Sequence, residues 1–489
     1  MPPDAPIQAS PVARDEAVLG VFAPSLYADH VKVYPRAVRG PFRMVKWAVL
    51  VLCLAVYYLL PWLRWNRGPD SPNQALLLDM SAPRAYLFNL EIWPQEIYYI
   101  TGLLILGAVA LFLATALYGR VWCGYTCPQT VWTDLFMAVE RWIEGDRNAR
   151  IRLDAQPLSV NKLLRKTAKH SLWLLVSAAT GGAWIMYFQD APTVTREIFT
   201  GAASLATYFF FGLFTLTTYV LAGWAREQVC TYMCPWPRFQ AAMQDEHSLI
   251  VSYQGWRGET RGKHKAGDSW DGRGDCIDCQ ACVHVCPTGI DIRNGPQLEC
   301  IGCALCIDAC DDMMRKVERP ERLIDFVSLE NMQRRAEGKP TILKLVRLRT
   351  ALYAALLVLV GAVMVVTLAI RKDFVMAVQQ DRAPLHVTLS DGSIRNGYSV
   401  RVTNRTHDPA ELQLVVEGLA GAQMFQAGAP GRHGVLRLSV HSDASADHHV
   451  FVAKPRRRSG TDLQQFDFVL RDGAGREVAR IRTQFAEPQ

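Results

Sequence analysis

Two cysteine-rich segments in the second half of the chain have a spacing that suits iron–sulfur chemistry. The first is CIDCQACVHVCP, from Cys276 to Pro287, and the second is CIGCALCIDACD, from Cys300 to Asp311. Three cysteines at three-residue steps bind one cubane cluster, and the fourth, four residues further on, reaches the other cluster. The spacing therefore predicts two 4Fe-4S clusters. One set of ligands is Cys276, Cys279, Cys282 and Cys310, and the other is Cys300, Cys303, Cys306 and Cys286.

Zinc is the alternative metal for these cysteines. Structural zinc sites usually take their ligands as two separated pairs, whereas three successive three-residue steps suit one face of a cubane cluster. The second segment departs from the usual pattern, because Asp311 follows Cys310 where a proline is expected. All the thiols are still present, so we expect an altered local turn rather than a lost cluster.

Four more cysteines belong to a CxxxCP motif that occurs twice, as WCGYTCP and VCTYMCP. Each proline disfavours helix at the cysteine before it and suits the first turn of a new helix. Together the thiols form a soft-ligand set that suits cuprous ion, a further iron–sulfur centre or dithiol–disulfide cycling, and ordinary buried thiols are the alternative. The four are Cys123, Cys127, Cys230 and Cys234. Cys53, alone in an apolar segment, is interpreted as an apolar filler.

The elements that must position these cysteines include long apolar segments, since half of the 489 residues are hydrophobic and are bunched into runs. Each run reaches or approaches the roughly 20 residues that cross a bilayer. The sequence therefore predicts a multidomain membrane protein with five transmembrane helices. The runs are Phe42 to Trp62, Ile97 to Tyr118, Ser171 to Phe188, Gly201 to Trp224, and Thr350 to Ile370.

The distribution of charge predicts the orientation. Lysines and arginines cluster before the first run, between the second and third, and between the fourth and fifth, which places those segments in the cytoplasm. The first 40 residues lack the short apolar core of a signal peptide, so the first run is predicted to be an anchor. Each pair of runs crosses the membrane twice, so both CxxxCP motifs should emerge on one face and converge. Of the 13 cysteines, all but Cys53 fall in segments predicted to be cytoplasmic, which argues against a disulfide scaffold.

The segment after the first CxxxCP motif has apolar residues at helical spacing. Such a helix suits either the membrane interface or packing against other helices, and the spacing alone leaves both open. In the tail, alternating patterns such as Tyr398-Ser399-Val400-Arg401-Val402 predict strands of a small β-sandwich. The predicted divisions are an N-terminal tail (1–41), two hairpins with CxxxCP motifs (42–145, 146–250), a ferredoxin-like domain (251–349), a fifth helix (350–370) and a β-domain (371–489).

Several other kinds of chemistry lack support. No histidine lies well inside an apolar run, so a haem held by paired histidines in the membrane is not expected. The six tail histidines, including His448-His449, are interpreted as surface residues rather than a metal site. No nucleotide-binding glycine motif is found. The net charge of +7 is explained by helix flanks that contact lipid headgroups, not by nucleic-acid binding.

Taken together, these motifs resemble a known family, the membrane-bound ferredoxin-like accessory proteins of cbb-type cytochrome c oxidase called CcoG, RdxA or FixG. The resemblance covers nearly the whole chain. It includes Leu26-Tyr27, Tyr34-Pro35-Arg36, Gly40-Pro41-Phe42-Arg43, both CxxxCP motifs, both cluster segments and a C-terminal immunoglobulin-like domain. It implies a protein of the bacterial inner membrane, with the clusters in the cytoplasm and the β-domain in the periplasm.

The resemblance implies reduction of cupric to cuprous copper while the oxidase's copper centre matures, with electrons passing from the clusters to copper at or near the CxxxCP cysteines. It also implies oxidase assembly factors or copper chaperones as partners. Two alternatives are a quinol-linked electron relay, or redox-signalling component, and a non-enzymatic assembly scaffold. The sequence identifies neither the electron donor nor the oligomeric state.

Overall fold

The structure of the protein, a computed structural model, describes residues 32–67, 71–264, 269–406, 408–426, 431, 433–455 and 463–487. The resemblance at Leu26-Tyr27 lies outside the described residues. The helices are α1 (Pro41–Leu59), α2 (Ile97–Tyr118), α3 (Pro128–Glu144), α4 (Arg147–Ala155), α5 (Val160–Ile185), α6 (Ala191–Thr200), α7 (Leu205–Thr218), α8 (Trp236–Met243), α9 (Gly255–Gly258), α10 (Ala281–His284), α11 (Leu305–Lys316), α12 (Leu329–Ala336) and α13 (Leu348–Ala369). The strands are β1 (Leu76–Asp79), β2 (Arg84–Leu87), β3 (Leu90–Ile92), β4 (Ile250–Tyr253), β5 (Ile324–Val327), β6 (Phe374–Gln380), β7 (Val387–Thr388), β8 (Ser393–Asn404), β9 (Ala410–Glu417), β10 (Gln423–Gln426), β11 (Val435–Val440), β12 (Ala444–Pro455), β13 (Leu463–Arg471) and β14 (Glu477–Ala486).

Within the described residues, four helical stretches are long and apolar enough to cross a membrane. They are Pro41–Trp62, Pro94–Tyr118, Leu205–Ala225 and Leu348–Ala369. The third predicted run lies in α5, whose first half carries lysines and an arginine and whose second half includes serine, threonine and two glycines. The predicted count of five is therefore not confirmed.

The helices pack in close pairs. Gly181 of α5 faces the backbone of α7, and a Cβ there would lie 2.9 Å from the nitrogen of Thr215 and 3.0 Å from the carbonyl oxygen of Phe211. Gly102 of α2 similarly faces Met364 of α13. Small residues let helix backbones approach closely where lipid supplies no hydrophobic driving force between helices.

Helix α3 packs along α5 rather than lying isolated at an interface. The indole nitrogen of Trp132 donates to Thr180 Oγ1 at 2.9 Å, and that of Trp173 donates to the carbonyl of Phe136 at 3.1 Å. Because residue numbers rise along α3 as they fall along α5, the two helices are antiparallel. Of the two alternatives open for this segment, packing against another helix is the one observed.

The C-terminal region is a β-sandwich, as the alternating patterns predict. One sheet has the order β10-β12-β8-β6, with β7 also paired to β8, and the other has the order β11-β9-β13-β14. Alternate residues point inward, so that Tyr398, Val400 and Val402 are all buried. The sandwich contacts the turn before α2, where Arg371 and Arg405 each lie 2.9 Å from Glu96.

Candidate functional site

The cysteines of the first predicted ligand set line one small cavity. Cys276, Cys279, Cys282 and Cys310 surround it, and the rest of the lining is mainly apolar. The nearby cation, Arg293, is already paired with Asp291 at 2.7 Å. Four thiols around a mainly apolar cavity form a donor set suited to a 4Fe-4S cluster.

The second predicted set lines a neighbouring cavity. Cys286, Cys300, Cys303 and Cys306 contribute to its wall, together with Cys282, which also lines the first cavity. The two cavities are therefore adjacent, and the crossed use of the fourth cysteine in each segment agrees with the spacing. All eight cysteines of the two segments line these cavities, with Cys282 in the wall of both, and this donor chemistry fits two 4Fe-4S clusters.

The two segments position their cysteines with the same backbone conformation. Asp278 and Gln280 in the first segment have φ of 53° and 56°, and Gly302 and Ala304, at the matching offsets, have φ of 69° and 60°. Left-handed conformations cost non-glycine residues free energy and cluster at functional sites. Helices α10 and α11 then begin directly after Gln280 and Ala304. The second residue of each helix is a cysteine, so the turn aims it into the cavity wall.

The missing proline after Cys310 has a visible consequence. Helix α11 continues to Lys316, whereas α10 ends at His284, shortly before Cys286-Pro287. Asp311 lies inside α11, and its carboxylate accepts a hydrogen bond from the backbone N–H of Arg322 at 2.7 Å. The altered turn expected at this point is thus a continued helix that binds the following loop.

Burial disfavours the deprotonated, negatively charged form of these thiols unless a cation lies close to them. It raises the pKa of Cys282 and of Cys300 to about 12, and it raises that of Cys306 well above its usual range. A thiol of this kind is protonated at neutral pH. Metal or cluster ligation therefore has to displace protons from both cavities.

Both CxxxCP motifs adopt π-helical turns. Trp122–Thr126 forms the first turn and Val229–Met233 the second. The N–H of Cys127 donates to the carbonyl of Trp122 at 2.9 Å, and that of Cys234 donates to the carbonyl of Val229 at 2.8 Å. Short π-helical segments are rare and are frequent at functional sites. The internal repeat seen in the sequence is therefore also a repeat of local structure.

The structure brings the two CxxxCP motifs together beside the second predicted ligand set, here called the second cysteine group (Cys286, Cys300, Cys303 and Cys306). Cys123 and Cys230 pack against an apolar cluster that includes Cys303, and Cys306 adjoins the same cluster. Burial, with the neighbouring CxxxCP thiols as a further cause, raises the pKa of Cys123 and of Cys230 to about 12. Cys234 is exposed, so the group also reaches the surface of the protein.

The first motif contacts the Cys303 loop directly. The hydroxyl of Tyr125 donates to the carbonyl oxygen of Cys303 at 3.2 Å, and Gly124 packs against the backbone of the same residue. The guanidinium of Arg120 donates to the carbonyl oxygens of Leu298 and Cys300, the latter at 2.9 Å. These contacts fix the position of the loop relative to Cys123.

Alanine at Gly124 is expected to disturb this contact. Its Cβ would lie 3.0 Å from the Cys303 Cα and nitrogen and from the Gly302 carbonyl carbon, all backbone atoms that cannot rotate away. Overpacking of this kind costs about 1–3 kcal/mol, so the thermal unfolding midpoint should fall. Gly107→Ala is the matched control, because a Cβ there meets nothing within 4 Å. Equal midpoints for the two variants would contradict the close approach.

Sequence reasoning missed residues that support the site from a distance. The Cys123 thiol donates to Gln240 Oε1 at 3.1 Å, and Gln240 is fully buried on α8. Asp308 of α11 accepts from the backbone N–H of Arg43 at 2.8 Å and of Phe42 at 3.3 Å, at the start of α1. The one signal in the sequence was the Gly40-Pro41-Phe42-Arg43 motif, since a Cβ on Gly40 would overlap the Asp308 side chain.

Among the described residues, no tail histidine belongs to a group of three potential metal ligands. His449 Nε2 lies 2.8 Å from Asp381. Outside the cysteine sites, three potential ligands come together in the described part of the chain at Glu246, His247 and Glu330. Lys344 already approaches Glu330 at 3.6 Å. The group of Glu246, His247 and Glu330 is therefore interpreted as an ion-pair cluster.

Three protein-family models match the chain. A 4Fe-4S dicluster domain matches residues 225–329, a 4Fe-4S binding domain matches residues 100–147, and the immunoglobulin-like fold at the C-terminus of FixG matches residues 364–488. The first two ranges include all four CxxxCP cysteines, so a third iron–sulfur centre stays open as an alternative to copper. Together with the apolar helices, these matches define a membrane-bound iron–sulfur electron-transfer protein with a C-terminal immunoglobulin-like domain.

The relatives specify the family. The chain is 46% identical to RdxA of Cereibacter sphaeroides over 94% of its own length and 98% of that protein. It is 44% identical to FixG of Rhizobium meliloti over 95% of its own length and 94% of that protein. A crystal structure of a FixG-related protein from Vibrio parahaemolyticus matches 24% of the chain and all of the solved one, with 17% identity and a TM-score of 0.21. The chain belongs to the RdxA and FixG family.

Proposed function

We propose that this protein reduces cupric ion to cuprous ion and that Cys123, Cys127, Cys230 and Cys234 bind the copper substrate. The observation that carries the proposal is the packing of Cys123 and Cys230 beside Cys303 and Cys306. Each cupric ion takes up one electron, and thiolate ligands favour the cuprous product. The site that receives the electron would therefore also stabilise the reduced metal.

The residues of the chain have distinct roles in this proposal. The eight cysteines around the two cavities would hold two 4Fe-4S clusters, which when bound supply one-electron transfer. Exposed Cys234 offers copper its first ligand, and Cys123 and Cys230 lie deeper. Gln240 orients Cys123 through the thiol hydrogen bond. Because the buried thiols are protonated without metal, copper binding would release protons.

We further propose that the cuprous ion serves assembly of a cbb-type cytochrome c oxidase, with copper chaperones or oxidase assembly factors as partners. The chain would lie in the bacterial inner membrane, with the clusters in the cytoplasm and the immunoglobulin-like domain in the periplasm. Helix α5 would be the fifth span, since 26 residues extend about 39 Å and hydrocarbon is about 30 Å thick. Membrane lipid is the remaining partner, and no nucleic-acid ligand is proposed.

Replacement of all four CxxxCP cysteines by alanine tests the proposal. Cupric reduction by the chemically reduced protein is expected to fall about 100-fold or more, because the substrate loses every thiolate ligand. Iron content should be unchanged. The matched control is Cys53→Ala, since Cys53 lies on α1 among apolar residues and should leave both quantities as in the wild type. Unchanged reduction rates with intact clusters would overturn the role of the four cysteines.

A further inference from the structure

A cavity of about 420 Å³ lies beside the second cysteine group, and Cys300 forms part of its wall. Its volume falls within the range of small-molecule sites, roughly 300–1,000 Å³. Much of the lining is apolar, with a few polar groups, as is usual for such sites. The apolar side comes from Ile250, Val251, Leu298, Phe326 and Leu329, and the polar side from Arg120, Gln244, Asp245 and Glu246.

The cavity lies where candidate membrane helices end. The segment that follows Asp245 and Glu246 is fixed to the end of α2, because Ser248 Oγ donates to the carbonyl of Ala116 at 2.7 Å. Arg347, just before α13, donates to the same carbonyl at 2.8 Å. Helices α2 and α13 are two of the four candidate spans. A ligand dissolved in the membrane would therefore reach the cavity at the bilayer edge.

The charges of the lining argue against a phosphate-bearing ligand. The Arg120 guanidinium is occupied by backbone carbonyls, including that of Cys300. Asp245 is paired with Arg347, and Glu246 adds negative charge to the lining. Phosphate groups of nucleotide carriers need positive partners or free N–H donors. A neutral ring with hydroxyl groups can bind without a positively charged partner. The carboxylate of Glu246, whose side chain is 72% exposed, can accept a proton and pass it to water.

We infer that this cavity is the site of electron entry and that its ligand is a membrane hydroquinone. The inference rests on the proposed function, for which it names the electron donor. Each hydroquinone would become a quinone by giving up two protons, through Glu246 to water, and two electrons. Cys300 would help to hold the iron–sulfur centre, which when bound accepts electrons one at a time. Two cupric ions take up the two electrons and become two cuprous ions. Atoms and charge therefore balance without another reductant.

A second cavity is the alternative site for such a ligand. It measures about 340 Å³ and is lined by Lys166, Thr167, His170, Ser171, Leu174 and Tyr219. His170 Nδ1 and the Tyr219 hydroxyl are 2.9 Å apart, so this cavity could also hold a ring with hydroxyl groups. No cysteine lines it. The cavity at Cys300 is favoured because a predicted cluster ligand forms part of its wall.

Photolabelling of the full-length protein in lipid nanodiscs locates the ligand. An azido derivative of a short-chain quinone is expected to label peptides within residues 241–251 and 296–302, and excess unlabelled quinone should prevent the labelling. This readout is a mass measurement and needs no turnover. Labelling confined to residues 166–174 or to Tyr219 would overturn the assignment.

Two variants test the electron step. Leu298→Trp fills the cavity and should slow bleaching of the iron–sulfur absorbance by a short-chain hydroquinone about tenfold or more, a loss of at least ~1.4 kcal/mol in binding or activation. Dithionite should still bleach it fully. Leu343→Trp, at a residue that does not line the cavity and is 72% exposed, is the matched control. Glu246→Gln should slow bleaching without reducing photolabelling. Equal bleaching rates for Leu298→Trp, Leu343→Trp and wild type would overturn the inference.

The same assays separate this inference from the proposed function. The variant without the four CxxxCP cysteines should keep hydroquinone-driven bleaching and lose cupric reduction. If the wild-type protein is labelled and bleached but reduces no copper, the proposed function fails and the electron-entry site stands. If it reduces copper with dithionite but is neither labelled nor bleached by hydroquinone, the inference fails alone.

Discussion

Replacing Cys303 and Cys306 together by alanine is expected to lower the iron content of the anaerobically purified protein from about eight to about four atoms per chain. The two thiols line the second cavity and are absent from the wall of the first, so one centre should be lost and the other kept. Iron analysis and spin-resonance spectroscopy measure the change. Unchanged iron would contradict the assignment of ligands.

The matched variant replaces Cys276 and Cys279. It should lose the same amount of iron, but it keeps the centre beside the CxxxCP motifs. Titration with copper is therefore expected to perturb the remaining spin-resonance signal in this variant and not in the variant without Cys303 and Cys306. The reverse pattern would place copper beside the first group. About twelve iron atoms in the wild-type protein would instead show that the CxxxCP cysteines hold a third cluster.

Glu140→Gln is expected to cause the largest loss of stability. Glu140 is 1% exposed and lies 2.8 Å from Arg150, 3.0 Å from Arg226 and 3.6 Å from Lys169. Removing its charge leaves three buried or nearly buried cations without this partner, and breaking a buried pair costs about 3–5 kcal/mol. Arg226 begins the segment that leads to the second CxxxCP motif, so that motif should also lose its order. Thermal unfolding followed by circular dichroism measures the loss.

The same group predicts how stability depends on pH. Burial alone would raise the pKa of Glu140, but Arg226, Arg150 and Lys169 lower it below the ordinary carboxyl value. A carboxylate with a lowered folded pKa contributes stability above the ordinary value and loses it as the pH falls through the folded value. The wild-type protein should therefore lose more stability in that acidic window than Glu140→Gln does. Glu337→Gln, on the surface, should behave like the wild type.

Local patterns explain what the sequence predicted well. Three of the four predicted ligands of each cluster lie within seven residues of one another, so the spacing around Cys276 and Cys300 carries most of the information about each cavity. Alternation of apolar residues predicts the β-sandwich for the same reason. Successive side chains of a strand point to opposite faces, so the sequence of one strand is enough to identify its buried face. The even number of crossings predicted that the two CxxxCP motifs would meet.

Long-range contacts explain what the sequence did not predict. The stripe of apolar residues on α3 is equally compatible with lipid and with α5, and only the packing of Trp132 and Phe136 decides between them. Gln240 and Arg120 bind partners more than a hundred residues away in the chain, and the local sequence around them does not indicate these contacts. The third predicted run is not among the four candidate spans, because α5 combines a charged half with an apolar half interrupted by small and polar residues.

The hydrogen bond between the start of α1 and Asp308 of α11 has a consequence for the order in which the chain folds. The amide of Arg43 meets its acceptor, Asp308, 265 residues later in the chain. At about 5–20 residues per second, roughly 13–53 s of translation separate the two groups. The first helix therefore leaves the ribosome with an unfinished end, which is completed only when the metal-binding segment has been synthesised and folded.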